Sequence, residues 1–342
     1  MQDFTPISDV GEFGLITRIG RILDKPRNPL LVGIGDDAAV YPTSETQVHV
    51  VTSDMLIENV HFDRMFHPLR YLGFKAISVN ASDVCAMNAL PRYATVSLGL
   101  PHNVSVEMIE ELYQGMARAC ALYGMDLIGG DTTASKQLVI SVTAIGDAAT
   151  EHVAYRSGAR VGDVLCVTGD LGAAYAGLKV LLEEKRRFEA AKGQGHAPDL
   201  SVFDYVIQRS LSPTARLDMV RNWRENNIVP SSAIDISDGL ASEINHICER
   251  SNVGASLHMA KIPVEILTRE VAEQFGEDPE TFALYGGDDY ELLFTVSQEE
   301  AAMLDENLFT VIGNITHPEE GVHLVLQDGG TMPLEANGFR HF

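Results

Sequence analysis

Short aspartate motifs, most of them beside glycine, recur at six places along the chain: Gly35-Asp36-Asp37, Thr52-Ser53-Asp54, Ser82-Asp83, Gly129-Gly130-Asp131-Thr132, Asp235-Ile236-Ser237-Asp238-Gly239 and Gly286-Gly287-Asp288-Asp289. Several directly follow apolar runs that read as strands, such as Val48-His49-Val50-Val51 before Thr52 and Asp126-Leu127-Ile128 before Gly129. Strands that end repeatedly in carboxylates and bare amides call for a fold that gathers those ends at one place. In mixed α/β proteins, ligands sit at such places. Hard cations such as Mg²⁺ take oxygen ligands, and phosphates take backbone amides and metal. The pattern points to metal-assisted phosphate chemistry.

At 342 residues the chain has room for two domains. Its 45% hydrophobic and 21% charged residues fit a globular protein with a sizeable core. No apolar run approaches the roughly 18 residues of a membrane span. Met1-Gln2-Asp3-Phe4-Thr5 carries no basic stretch leading into an apolar one, so a cytoplasmic protein is expected. The formal net charge of −23 argues against nucleic-acid backbone or an anionic membrane as partner. It also repels phosphates, unless divalent metal inverts the local sign. Cys85, Cys120, Cys166 and Cys248 sit among apolar neighbours at spacings that suit neither zinc nor a redox pair. They are expected to be buried, reduced thiols.

The element pattern predicts an α+β chain of two α/β sandwich domains, 1–150 and 151–342. Helical spacing runs from Pro68 to Met87 and from Ser105, a plausible cap, to Tyr123. Strands are expected at 93–100, 138–145, 163–167, 233–235, 291–296, 310–312 and 322–326. Gly129-Gly130-Asp131 is expected to be a turn. The charged stretch Lys185 to Pro198, with Gly193-Gln194-Gly195, is expected to be a surface insertion.

Each motif has a plainer reading. Gly33-Ile34-Gly35-Asp36-Asp37 nearly fits a dinucleotide fingerprint, but its aspartates stand where a pyrophosphate needs positive charge. A paired-Asp turn suits Mg²⁺ better, and an exposed hairpin turn would also explain it. Thr52-Ser53-Asp54 could hold metal or cap a turn. Asp83, on an otherwise apolar helix, needs a partner. Asp235, Ser237 and Asp238 are close enough to converge, and Ser237 or Asp238 would also cap the following helix. His61, after the Asp54 motif, is the histidine best placed to matter. No Walker A lysine motif and no protein-kinase motif set is present.

Taken together, the motifs resemble those of the thiamine-monophosphate kinase family, in the superfamily of aminoimidazole ribonucleotide synthetase and selenophosphate synthetase. The likeness runs through Gly11-Glu12-Phe13, the aspartate motifs, Asn59-Val60-His61-Phe62, Lys75 to Asp83, Arg156-Ser157-Gly158-Ala159, Gly286 to Leu292 and Gly338-Phe339-Arg340-His341-Phe342. It implies ATP-dependent phosphorylation of thiamine monophosphate. It also implies a homodimer whose first-domain sheets join into a β-barrel. It places metal ligands at Asp36, Asp37, Thr52, Ser53, Asp54, Asp83, Asp131, Asp235 and Asp238, with Asp37, Asp54, Asp131 and Asp238 central to catalysis. ATP contacts fall at Gly130, Asp131, Arg156 and Ser237, and substrate contacts at His61, Asp288 and Phe339. Relatives often carry glutamate at position 288, and tyrosine or tryptophan at 339. A sister ATP-dependent synthetase, or a Mg-ATP-binding module without turnover, are the alternatives.

Overall fold

A computed structural model describes residues 5–23, 26–192 and 199–336, side chains of Glu12 and Phe13 excepted. After α1 (Gly11–Ile22) come five strands: β1 (Ala39–Pro42), β2 (Gln47–Ile57), β3 (Leu90–Leu100), β4 (Asp126–Ala134) and β5 (Val139–Ala149). They form one sheet in the order β1-β2-β5-β3-β4, antiparallel except for the parallel β3–β4 pair. Helices α2 (Leu69–Ala86) and α3 (Val106–Tyr123) belong to this unit. Ser105 caps α3 as expected, its hydroxyl accepting from the Met108 amide.

The remaining elements are β6 (Val164–Thr168), α4 (Ala173–Ala190), α5 (Asp204–Leu211), α6 (Leu217–Glu225), β7 (Ser232–Asp235), α7 (Leu240–Ser251), β8 (Gly254–His258), α8 (Ile266–Phe275), α9 (Pro279–Tyr285), β9 (Leu292–Val296), β10 (Phe309–Thr316), β11 (Val322–Val325) and β12 (Thr331–Pro333). Their seven strands make a second sheet in the order β12-β11-β8-β10-β6-β9-β7. The fold is thus mixed α and β with two sheets, and neither closes into a barrel within the chain. All four cysteines are buried free thiols. No described helix is long and apolar enough to cross a membrane.

Helix α2 explains how the site is positioned. A surface helix carries a polar stripe, but α2 is buried from Leu69 to Ala86 almost without interruption. It packs on β2, β3, β5 and α3 of its own unit and on β7, α5 and α6 of the other. One continuous core therefore runs from Val50 and Ile140 through Ala76 and Ile77 to Trp223 and Phe294. Its polar residues Lys75, Asn80 and Asp83 are thereby placed in the seam between the two sheets.

Two expectations fail here. Gly129-Gly130-Asp131 is not a turn. The strand continues through it, with Gly130 opposite Val96 and Asp131 opposite Ser97. Parallel pairing with β3 satisfies this backbone, and Gly130 permits it, because a Cβ there would lie 1.8 Å from the Val96 carbonyl oxygen. Gly130→Ala should therefore unzip β4 and cost on the order of 2–4 kcal/mol. A denaturant midpoint equal to that of the native chain would contradict this. Second, the charged stretch from Lys185 is not a loop at its start. Helix α4 runs on to Ala190, with Arg186 and Arg187 paired to Glu183 at helical spacing. Residues Gly193, Gln194 and Gly195 lie outside the described set.

Candidate active site

Strand β2 alternates its side chains between the two faces of its sheet. Val48, Val50, Thr52, Asp54 and Leu56 face α2, where Thr52 Oγ1 donates to Asp83 Oδ2 at 2.6 Å. Asn80, one turn earlier on α2, accepts from the Asp54 amide at 3.1 Å. The Gly35-Asp36-Asp37 segment approaches from before β1, and Asp235 arrives at the end of β7. Carboxylate oxygens of Asp37, Asp83 and Asp235 all lie within 4.8 Å of one another. Asp54 adjoins them closely enough for its charge to bear on Asp83 and Asp235.

This clustering sets the electrostatics. Burial, then the charges of Asp54, Asp235 and Asp37, push the Asp83 carboxyl well above the usual range. Burial and Asp37 push Asp235 up to about 8, and burial with Asp37 raises Asp36 to about 6. Burial also raises Asp37 and Asp54. The nearest cation is Arg156, which donates to Asp37 Oδ1 from Nη2 at 2.6 Å and from Nε at 3.1 Å. Its backbone amide donates to Asp36 Oδ1 at 3.2 Å. Asp37 Oδ2 and Asp235 Oδ2 remain buried with no hydrogen-bond partner. An oxygen-only donor set with orphaned carboxylate oxygens fits a hard divalent cation.

The turn after β7 is built differently from the expected cap. Gly239 holds the N-cap position of α7, with no side-chain cap bond. Glu243, from the first turn of α7, reaches back instead. Its Oε1 accepts from the Asp238 amide at 2.8 Å and the Ser237 amide at 3.2 Å. Burial, then Asp238, pushes the Glu243 carboxyl well above its usual range. Ser237 is exposed and Asp238 half-buried beside the cluster.

Two expected ligands lie elsewhere in the single chain. The Ser53 side chain is on the other face of the sheet, donating to the Val142 carbonyl at 3.1 Å and accepting from Thr143 at 3.1 Å. Asp131 shares that outer face through the row Met55, Ser141, Ser97 and Asp131, and is exposed on edge strand β4. Asp131 is therefore separated from the cluster by the sheet itself, while Gly130, in the row of Asp54, Val142 and Val96, lies three strands away from it.

The 286–291 loop borders the cluster from the second unit. Asp288 lies beside His61, whose Nδ1 accepts from the Ile57 amide at 3.0 Å. The loop is stitched to the β7 turn, with the Asp288 amide on the Ser237 carbonyl at 2.7 Å and the Tyr290 amide on that of Ile236 at 2.8 Å. Gly287 is required here, with φ of 70° and the Ser237 carbonyl oxygen 2.5 Å from any added Cβ. Asp289 points away and accepts from the Gly172 amide at 2.8 Å. The loop is anchored by Glu291, held by Arg209 at 2.8 Å, Arg216 at 2.6 Å and Thr168 at 2.6 Å. Glu291→Ala would leave two guanidiniums without that carboxylate, and should cost about 3–5 kcal/mol. An unchanged urea midpoint would contradict that anchoring role. Phe339 lies outside the described residues.

Sequence reasoning missed Asn80, Glu243, Tyr290 and Glu291 as site-building residues, and gave Lys75 no role. Only Lys75 left a signal, as a cation within an apolar helix.

Residues 35–148 match the family model for AIR synthase related protein, N-terminal domain. The chain is 38% identical over 336 residues to thiamine-monophosphate kinase of Aquifex aeolicus (strain VF5), covering 98% of this chain and 99% of that one. It is 35% identical over 339 residues to thiamine-monophosphate kinase of Escherichia coli (strain K12), covering 97% and 98%. A solved structure of AaThiL complexed with AMPPCP and TMP superposes with a TM-score of 0.85 at 36% identity, over 99% of each chain. With near-complete coverage in sequence and structure alike, the chain belongs to the thiamine-monophosphate kinase family.

Proposed function

We propose that this protein transfers the terminal phosphoryl group of ATP to thiamine monophosphate, giving thiamine diphosphate and ADP. The carrying observation is the cluster of Asp37, Asp83 and Asp235, with its orphaned oxygens and Arg156 at its edge. A relative of 36% identity that was solved with an ATP analogue and TMP supports the same reading.

Asp37, Asp83 and Asp235, with Asp54 and Asp36 adjoining and the Thr52 and Asp238 side chains at the rim, would hold Mg²⁺. Bound there, Mg²⁺ supplies charge neutralisation for in-line displacement. The acceptor phosphate has a second pKa of about 6, so it is mostly ionised at pH 7 and needs no general base. A new P–O bond forms from its oxygen to the terminal phosphorus as the bridging bond to ADP breaks, with no phospho-enzyme. Arg156, whose Nε and Nη2 hold Asp37 in the free chain, would turn its guanidinium to the nucleotide phosphates once metal takes up that carboxylate, and Ser237 would offer its hydroxyl nearby. His61 and Asp288, adjacent across the seam, would face the substrate.

Gly130 and Asp131 join nucleotide binding in this reading through a homodimer, in which the open sheet faces of two copies close into a barrel. The exposed residues Met55 and Tyr93 of the outer face would be covered there. We expect a cytoplasmic enzyme, whose four buried thiols suit a reducing compartment. Rapid quench with γ-³²P-ATP should place label directly on thiamine diphosphate. A labelled protein intermediate would refute direct transfer.

A further inference from the structure

Arg70 at the exposed start aside, Lys75 is the only cation on α2. Its side chain is 4% exposed. It precedes Asp83 by two turns, about 12 Å along the helix axis. Lys75 Nζ donates to Asp288 Oδ2 at 2.6 Å and to the Ser210 carbonyl at 3.4 Å. The next carbonyl, of Leu211, accepts from His67 Nε2 at 3.0 Å. Two side chains of the first unit thus fill the terminal carbonyls of α5 in the second.

The other Asp288 oxygen is also held. Oδ1 accepts from the Tyr290 hydroxyl at 3.0 Å. Backbone φ is 63° at Asp288 and 53° at Tyr290, a left-handed conformation that ordinary residues rarely adopt. Such strain persists only where surrounding bonds over-determine it. Here the β7 turn, α2 and Tyr290 all do so. Burial works against a charge on Asp288, yet Lys75 and Tyr290 hold its carboxyl below the usual range, and His61 adds to this.

We propose that Lys75 is a positioning residue for substrate recognition. With Tyr290 it fixes the Asp288 carboxylate as an anion aimed at the ring end of the phosphate substrate. This rests on the assignment of thiamine monophosphate as substrate and of Asp288 as its contact. Because α2 carries both Lys75 and, two turns later, Asp83, a single rigid element sets the span between the phosphate site and the ring site.

The test is steady-state kinetics of the full chain with thiamine monophosphate, ATP and Mg²⁺. Lys75→Met should raise KM for thiamine monophosphate about tenfold or more, with KM for ATP and kcat within about threefold of native. Lys75 is the buried partner, 4% exposed against 40% for the Asp288 side chain, so Asp288→Asn alone strands a buried charge and Lys75→Met/Asp288→Asn, which removes both charges, is measured alongside. If Lys75 acts through Asp288, the double variant raises KM no further than Asp288→Asn alone. An unchanged KM in Lys75→Met, or additive effects in the double variant, would overturn the proposal. Native chain that neither binds nor turns over thiamine monophosphate would instead overturn the functional reading, and this proposal with it.

Discussion

Asp235→Asn is expected to lower kcat by about two to three orders of magnitude while raising the melting temperature of the metal-free protein. The two effects have one cause. Asp235 is 3% exposed at the end of β7, and its Oδ2 has no hydrogen-bond partner. Its carboxylate oxygen lies within 4.8 Å of those of Asp37 and Asp83. Fold stability gains nothing from crowding these carboxylates around the single guanidinium of Arg156. A site that holds metal gains an anionic cage. Asparagine keeps the shape and removes one charge, so the metal-free fold is relieved as the cage is weakened. Relief of roughly 2 kcal/mol corresponds to about 3 °C in a chain of this size. Melting in EDTA and kinetics at saturating Mg-ATP read the two effects separately. A variant that loses both activity and stability would make Asp235 a structural residue and nothing more.

The metal-free melting temperature should also fall as pH rises from 5 to 9, relative to Asp235→Asn. Asp235 and Asp36 hold their protons more tightly in the folded chain than in the unfolded one. Their contribution is therefore intact below the ordinary carboxylate pKa of about 4. It is lost as pH climbs through the folded values, about 6 for Asp36 and about 8 for Asp235. Native chain and Asp235→Asn should melt together near pH 5 and diverge by pH 9, the native chain lower. Excess Mg²⁺ should close the gap, because a ligand at a hundred times its Kd adds about 2.7 kcal/mol. Native chain melting above Asp235→Asn at pH 9 in EDTA would contradict the repulsive cluster.

The aspartates were legible because carboxylates are conspicuous against apolar runs, and the fold brings Asp37, Asp54, Asp83 and Asp235 together, although only Asp235 ends a strand, Asp54 lying inside β2 and Asp83 on α2. What failed was face and continuity. Ser53 and Thr52 are neighbours in sequence, yet strand alternation sends them to opposite sides of the sheet. Two glycines before Asp131 look like a turn, but parallel pairing with β3 carries the strand straight through. The cap of α7 was misplaced because Gly239 holds the N-cap position and Glu243 reaches back to take up the Ser237 and Asp238 amides instead. Lys75 was visible as a cation in an apolar helix, but its partner lies 213 residues away in sequence. Only the packing of α2 between two sheets shows why that charge is buried.

The central claim is phosphoryl transfer to a phosphate acceptor at the acidic cluster. Chromatographic product analysis of the purified chain with thiamine monophosphate, ATP and Mg²⁺ tests it most directly. Thiamine diphosphate and ADP are expected in equal amounts, both lost on adding EDTA. ATP binding without thiamine diphosphate would contradict it, and aminoimidazole ribonucleotide synthesis would then be the activity to assay.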